Sequence, residues 1–163
     1  AGIPNQVIIF LILLVISFIL LHLTKYGRKI FLIGVNRNTA EYSGIKTARL
    51  VMSTYVLSGI AASIAGILLT SYLGTAKPDF GADLTLPIIT AVVLGGTSIY
   101  GGKGNVIGTG LAALIIGFMK FGLTLIGINA QYQDIPVGIL LIVSLIINFM
   151  INSNVFQNLK RKK

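Results

Sequence analysis

Few residues in this chain are of types that do chemistry, and their spacing argues against most of it. The single histidine, His22, closes an apolar run, with no second histidine, cysteine or carboxylate at ligand spacing. It reads as an interfacial side chain and not as a metal ligand. The four acidic residues, Glu41, Asp79, Asp83 and Asp134, are scattered in the loops, and no two lie four apart on one helix. Paired-carboxylate, serine-base and zinc-hydrolase chemistry each need a constellation that is missing. The stretch Gly95-Gly96-Thr97-Ser98-Ile99-Tyr100-Gly101-Gly102-Lys103-Gly104 resembles a phosphate loop until it is counted. Such a loop needs glycine where Thr97 stands and a hydroxyl where Gly104 stands. Both ends fail, which rejects nucleotide binding by this chain. Its glycines fit a tight turn between two packed spans. No catalytic residue, metal or cofactor is expected.

The elements that must position these residues are set by composition. Of the 163 residues, 55% are hydrophobic and only 10% charged, against about 25% charged in a soluble domain; the mean hydropathy is +0.91. The apolar residues come in long runs, so the solvent they call for is a bilayer. The net charge of +9 suggests nucleic acid at first sight. The basic residues lie in the gaps between apolar runs, however, and no nucleic-acid partner is expected. Cysteine and tryptophan are absent. The first apolar run lacks a basic flank and a small-residue cleavage site, so it is not a secretory signal.

Five apolar segments stand out, at about Val7–Leu23, Leu50–Leu73, Leu86–Ile99, Val106–Ile128 and Pro136–Phe156. Four reach the ~20 residues that a membrane helix needs; the third is short and predicts a tilted, broken or partly re-entrant span. The fold class is therefore all-α, a polytopic transmembrane bundle of about five spans. Lys25, Arg28, Lys29, Arg37, Lys46 and Arg49 follow the first segment, Lys103 follows the third, and Lys160, Arg161, Lys162 and Lys163 follow the fifth. With five crossings these gaps share one side, which holds eleven of the 13 basic residues. The other side holds Lys77 with Asp79, Asp83 and Asp134. The positive-inside rule makes the basic side cytoplasmic. The N-terminus is then outside, which predicts that the chain is part of a longer protein.

Two features of this layout could carry function. The cytoplasmic loop from Gly34 to Ile45 has Asn36 or Asn38 as a helix cap, Glu41 near the first turn, and Gly44 to end it in the left-handed conformation. It encodes roughly two turns of helix at the cytoplasmic face, either an ordinary loop or a docking element. Lys120 is the one charge within a span, ~12 Å from the outer end of the fourth segment. It either snorkels or pairs structurally, or faces a polar translocation path. Small residues at Ser58, Ala62 and Gly66, and at Gly104, Gly108 and Ala112, recur every four places and suit close helix packing.

Three stretches in order carry a resemblance: the loop Gly34 to Ile45, then RLVMSTYVLSGIAASIAGILLTSYLG, then ITAVVLGGTSIYGGKGNVIGT. Together they resemble permease subunits of ABC importers of the ribose and branched-chain amino acid superfamily. The match runs from about Tyr26 to about Ile147 and is closest to the sugar branch, within which LPIITAVVLGGTSIYGG is similar to permeases for autoinducer-2 or rhamnose alike. The resemblance implies that residues 1–163 are the C-terminal half of a permease about twice as long, with 34–46 as the coupling segment. Asn36, Ala40, Glu41, Ser43 and Gly44 match the coupling motif, and Gly95, Gly96, Gly101, Gly102 and Gly104 match the later glycine signature. Lys120 falls where sugar-branch members carry arginine followed by asparagine. Phe121 stands in place of the asparagine, so no polar pair is expected from that neighbour.

The function that the resemblance implies is ATP-driven import of a sugar or sugar-like solute across the cytoplasmic membrane. ATP would be bound and hydrolysed in a separate cytoplasmic ATPase subunit, the permease itself being no enzyme and carrying no cofactor. A second permease subunit would complete the path. A periplasmic or lipid-anchored solute-binding protein would deliver solute at the loops 75–85 and 129–135. The competing readings are a stand-alone channel or secondary transporter, which would need more intramembrane charge than Lys120, and a non-transporting assembly subunit.

Overall fold

The structure, a computed structural model, describes residues 5–76, 81 and 83–152. Lys77, Asp79 and the four basic residues at positions 160–163, which contribute to the charge asymmetry, lie outside these residues. So does the far end of the fifth apolar segment. Every regular element among the described residues is a helix: α1 (Asn5–Phe18) running into a π-helical turn (Ile19–Leu23), α2 (Lys25–Val35), α3 (Arg37–Tyr42), α4 (Thr47–Leu73), α5 (Thr85–Leu94), α6 (Val106–Leu125) and α7 (Ala130–Asn152). Among the described residues four stretches are long and apolar enough to cross a membrane: Asn5–Leu23, Thr47–Leu73, Val106–Leu125 and Gln131–Met150. The third apolar segment is the short one, as its length predicts. Its helix α5 has 10 residues, about 15 Å of rise against a hydrocarbon core of about 30 Å. The all-α, polytopic class stands.

Two compact units divide the chain. The first runs to residue 80 and includes the loop tip Tyr100–Gly102; the second holds Gly81–Ile99 and the chain from Lys103 onward. In the first unit, Thr24 caps α2. Its hydroxyl donates to Leu20 O at 2.6 Å and accepts from Gly27 N at 3.4 Å. Helix α2 occupies positions that the apolar runs alone place in a gap between spans. Its half-buried residues, Tyr26, Ile30, Phe31 and Ile33, fall at helical spacing, while Lys25, Arg28 and Lys29 are exposed. This is the pattern of a helix lying on an apolar surface. His22 stacks on Phe18 with centroids 5.0 Å apart and meets Phe31 edge-on at 6.0 Å.

The second unit packs α5, α6 and α7 around Ala91, Ala112, Ile116 and Val137, with Leu86, Leu94 and Met119 against them. The small residues let α5 and α6 meet closely. A Cβ placed on Gly95 would lie 2.4 Å from the backbone of Thr109, and one on Gly108 would lie 2.2 Å from Gly95 O. Of the second small-residue set, Gly108 and Ala112 therefore do pack, whereas Gly104 precedes the helix and is not on its face. The first set, Ser58, Ala62 and Gly66, is exposed on α4. At one end of the unit Asn148 Nδ2 donates to Thr97 O at 3.2 Å. At the other, Gln133 Nε2 donates to Thr124 Oγ1 and Ile128 O, both at 3.0 Å. These polar side chains are thus satisfied within the protein, as an apolar solvent demands. Helix α7 starts at Ala130 and not at Pro136. The proline sits inside the helix, a defect that membrane helices tolerate.

Candidate functional site

The loop between α2 and α4 folds as a short, doubly capped helix. Asn36 has extended backbone and its Oδ1 accepts from Thr39 N at 3.1 Å, so Asn36, not Asn38, is the N-cap. At the other end Gly44 adopts φ +78°. Ile45 N donates to Ala40 O at 3.1 Å and Gly44 N to Glu41 O at 2.9 Å. These two bonds form a Schellman motif, which satisfies carbonyls that the helix end would leave open. Ser43 closes the same turn, its Oγ donating to Thr39 O at 2.9 Å.

Glu41 corrects one expectation. It lies in the last turn of α3 and not in the first. Its Oε1 accepts a short hydrogen bond from the Thr47 hydroxyl and a second from Arg37 Nε at 3.4 Å. These bonds hold the carboxyl below its ordinary value, the Thr47 bond first and Arg37 next. Thr47 is 4% exposed and Ala40 is 4% exposed. Ala40 and the Glu41–Thr47 bond together seat α3 on the first turn of α4. The outward face is left to Arg37, Asn38 and Tyr42, the last 92% exposed. Thr47 was not among the residues expected from the sequence to matter. Its signal was a hydroxyl at the start of a long span, six places after a carboxylate.

The glycine signature performs two separate tasks. Gly95 ends α5 and makes the close approach to α6 described above. Gly101 and Gly102, both with positive φ, bring the loop tip onto the end of α2. A Cβ on Gly101 would lie 2.6 Å from Gly34 O, and one on Gly34 would lie 2.4 Å from Gly102 N. The two motifs, far apart in the sequence, therefore meet backbone to backbone at the base of α3. Gly96 faces open space, and Gly104 is half-buried ahead of Asn105, which caps α6 by accepting from Gly108 N at 3.2 Å. Of the signature, Gly95, Gly101 and Gly102 thus serve close backbone packing.

Lys120 has a partner. Its Nζ donates to Asp134 Oδ1 at 2.9 Å, with the two side chains 27% and 43% exposed. Phe121 offers no polar group beside it, and α7 supplies one instead. The signal for this pair was opposite charges flanking one short connection. Among the described residues no group of three His, Cys, Asp or Glu could hold a metal ion.

Residues 2–145 match the family described as branched-chain amino acid transport system / permease component. The chain is 45% identical over 145 residues to the autoinducer 2 import system permease protein LsrD of Photorhabdus laumondii, covering 89% of this chain and 44% of that protein. It is 45% identical to the proteins of the same name from Yersinia enterocolitica, over 86% of this chain and 43% of the relative, and from Salmonella typhi, over 87% and 43%. The chain spans less than half the length of these curated relatives. No solved structure matches it. The family match covers most of the chain, including the capped loop and the glycine turn that the structure brings together, and the chain therefore belongs to this family of transport-system permease components.

Proposed function

We propose that this chain is part of the permease subunit of an ATP-driven importer of a sugar or sugar-like solute in the bacterial cytoplasmic membrane. The relatives' names make an autoinducer-2-type polyhydroxy molecule the leading solute. The observation that carries the reading is α3. It is rigidly capped at both ends, anchored to the long helix α4 through Glu41 and Thr47, and open to a partner along Arg37, Asn38 and Tyr42. Such an element suits coupling. A push on α3 reaches α4 without first straining a loose loop.

In this mechanism a cytoplasmic ATPase subunit binds and hydrolyses ATP and grips α3. Closure of the ATPase then moves the spans between outward- and inward-open states. The shift is only as large as the difference in contact free energy between those states. A second permease subunit completes the path, and a solute-binding protein delivers cargo to the outer side. Lys120 and Asp134 would line the outer part of that path. As an ion pair they add no net charge, which suits a neutral solute better than a phosphorylated one.

The test is copurification. The chain is expressed with the segment that its longer relatives carry and with the candidate ATPase. Tyr42→Ala alters the open face of α3 and leaves its caps alone. Copurification that drops at least tenfold supports the reading. Equal recovery of the ATPase with wild type and variant removes α3 as the coupling element.

A further inference from the structure

The cations around the start of α4 are not spread evenly. Lys29 from α2, with Lys46 and Arg49 from the start of α4, line one groove of about 450 Å³ beside Gly44. Among the described residues none of the three has an acidic partner, since the two ion pairs are Arg37–Glu41 and Lys120–Asp134. A second groove of about 450 Å³ shares Arg49 and runs on along α4 past Met52, Val56 and Leu57, with Leu20 opposite. Arg49, Met52, Val56 and Leu57 fall at helical spacing on one face. The two hydroxyls in this second groove are already used. Tyr26 OH and Ser53 Oγ lie 2.7 Å apart, and Ser53 Oγ donates to Leu50 O at 2.7 Å. The trough beyond Arg49 is therefore apolar in effect.

Three unpaired cations in one groove, with Arg49 shared by an adjoining apolar trough, at the end of a span that the charge distribution places at the inner leaflet, make a composite site. An acidic patch on a soluble partner would neutralise the cations but could not enter the trough. A zwitterionic lipid would fill the trough and bring a phosphate, but its ammonium group would lie beside the three cations and oppose them. We propose that this groove binds an anionic glycerophospholipid of the inner leaflet. Lys29, Lys46 and Arg49 hold the headgroup phosphate, and an acyl chain lies along Met52, Val56 and Leu57. The site depends on the chain spanning a membrane and not on the importer reading.

The test is native mass spectrometry of the purified full chain, released from detergent with phosphatidylglycerol or phosphatidylcholine. Wild type is expected to retain phosphatidylglycerol over phosphatidylcholine. The triple variant Lys29→Gln, Lys46→Gln, Arg49→Gln should weaken retention about fivefold for each charge removed. The variant Lys25→Gln, Arg28→Gln, Lys103→Gln removes equal charge outside the groove and should retain the lipid. Val56→Trp fills the trough and should lower retention with every cation in place. Equal retention of the two lipids by wild type, equal weakening by both triple variants, or displacement by millimolar inorganic phosphate would each overturn the proposal. So would loss of a copurifying ATPase, with lipid retained, in the groove variant. If a triple variant fails to fold, the headgroup preference of wild type and the effect of Val56→Trp decide.

Discussion

Glu41 is held by two donors of different kinds, and its role follows from them. The Thr47 hydroxyl ties it to α4, while Arg37 lies one turn back on α3. The Arg37 pair is exposed on both sides, so it contributes little by itself. The hydroxyl bond is the one that joins two elements. Because the folded carboxyl sits below its ordinary value of 4.5, it binds protons less readily folded than unfolded. Its contribution to stability is therefore fully present above that ordinary value and is lost as pH falls through the lowered one. Glu41→Gln keeps an acceptor for Thr47 but removes the charge. Thermal melts followed by circular dichroism should show wild type above the variant at pH 7. The gap should close in strongly acidic buffer. A gap that is the same at both pH values would mean that the charge is not what matters.

Among the elements, the α5–α6 contact is a close one and easy to test. Gly95 and Gly108 leave no room for a methyl group between two backbones, and backbone cannot move aside as a flexible side chain can. Gly95→Ala should destabilise the second unit by about 1–3 kcal/mol, the usual cost of overpacking. Gly117, farther along α6, has nothing near its missing Cβ. Gly117→Ala should be neutral or stabilising by up to about 1 kcal/mol, from helix propensity alone. Unfolding of the two variants in the same detergent checks the contrast. Similar losses in both would show that the glycines matter for helix flexibility and not for the close approach.

For the whole molecule, the orientation in the membrane is the property most open to measurement. The chain has no cysteine, so a single introduced thiol is a clean probe. Tyr42 and Tyr100 are 92% and 69% exposed on the two loops assigned to the cytoplasm, and Ile126 is 78% exposed beyond α6. In oriented vesicles, Tyr42→Cys and Tyr100→Cys should react with an impermeant reagent from the cytoplasmic face only, and Ile126→Cys from the opposite face only. Labelling of Tyr42→Cys and Ile126→Cys from one face would break the alternating order of the spans.

Much of this was legible in the residues alone. Runs of apolar residues near the length of a bilayer name four helices, and charge placed between the runs predicts an orientation for them. Local signals did as well at short range: Asn36 and Gly44 bound α3 through hydrogen bonds that reach only three to five places along the chain. What lay out of reach was whatever depends on distant partners. The start of α7 falls ahead of Pro136, where Gln133 and Asp134 bond to Thr124, Ile128 and Lys120 across the connection. The Glu41–Thr47 bond, the Lys120–Asp134 pair and the meeting of Gly34 with Gly101 are set by how helices pack. So is the gathering of Lys29, Lys46 and Arg49 in one groove, with Arg49 shared by the apolar groove beside it. Composition and spacing determined the solvent, the helices and their order. Only the tertiary structure decided which side chains meet, because packing geometry is a property of pairs of surfaces and is not written in either one alone.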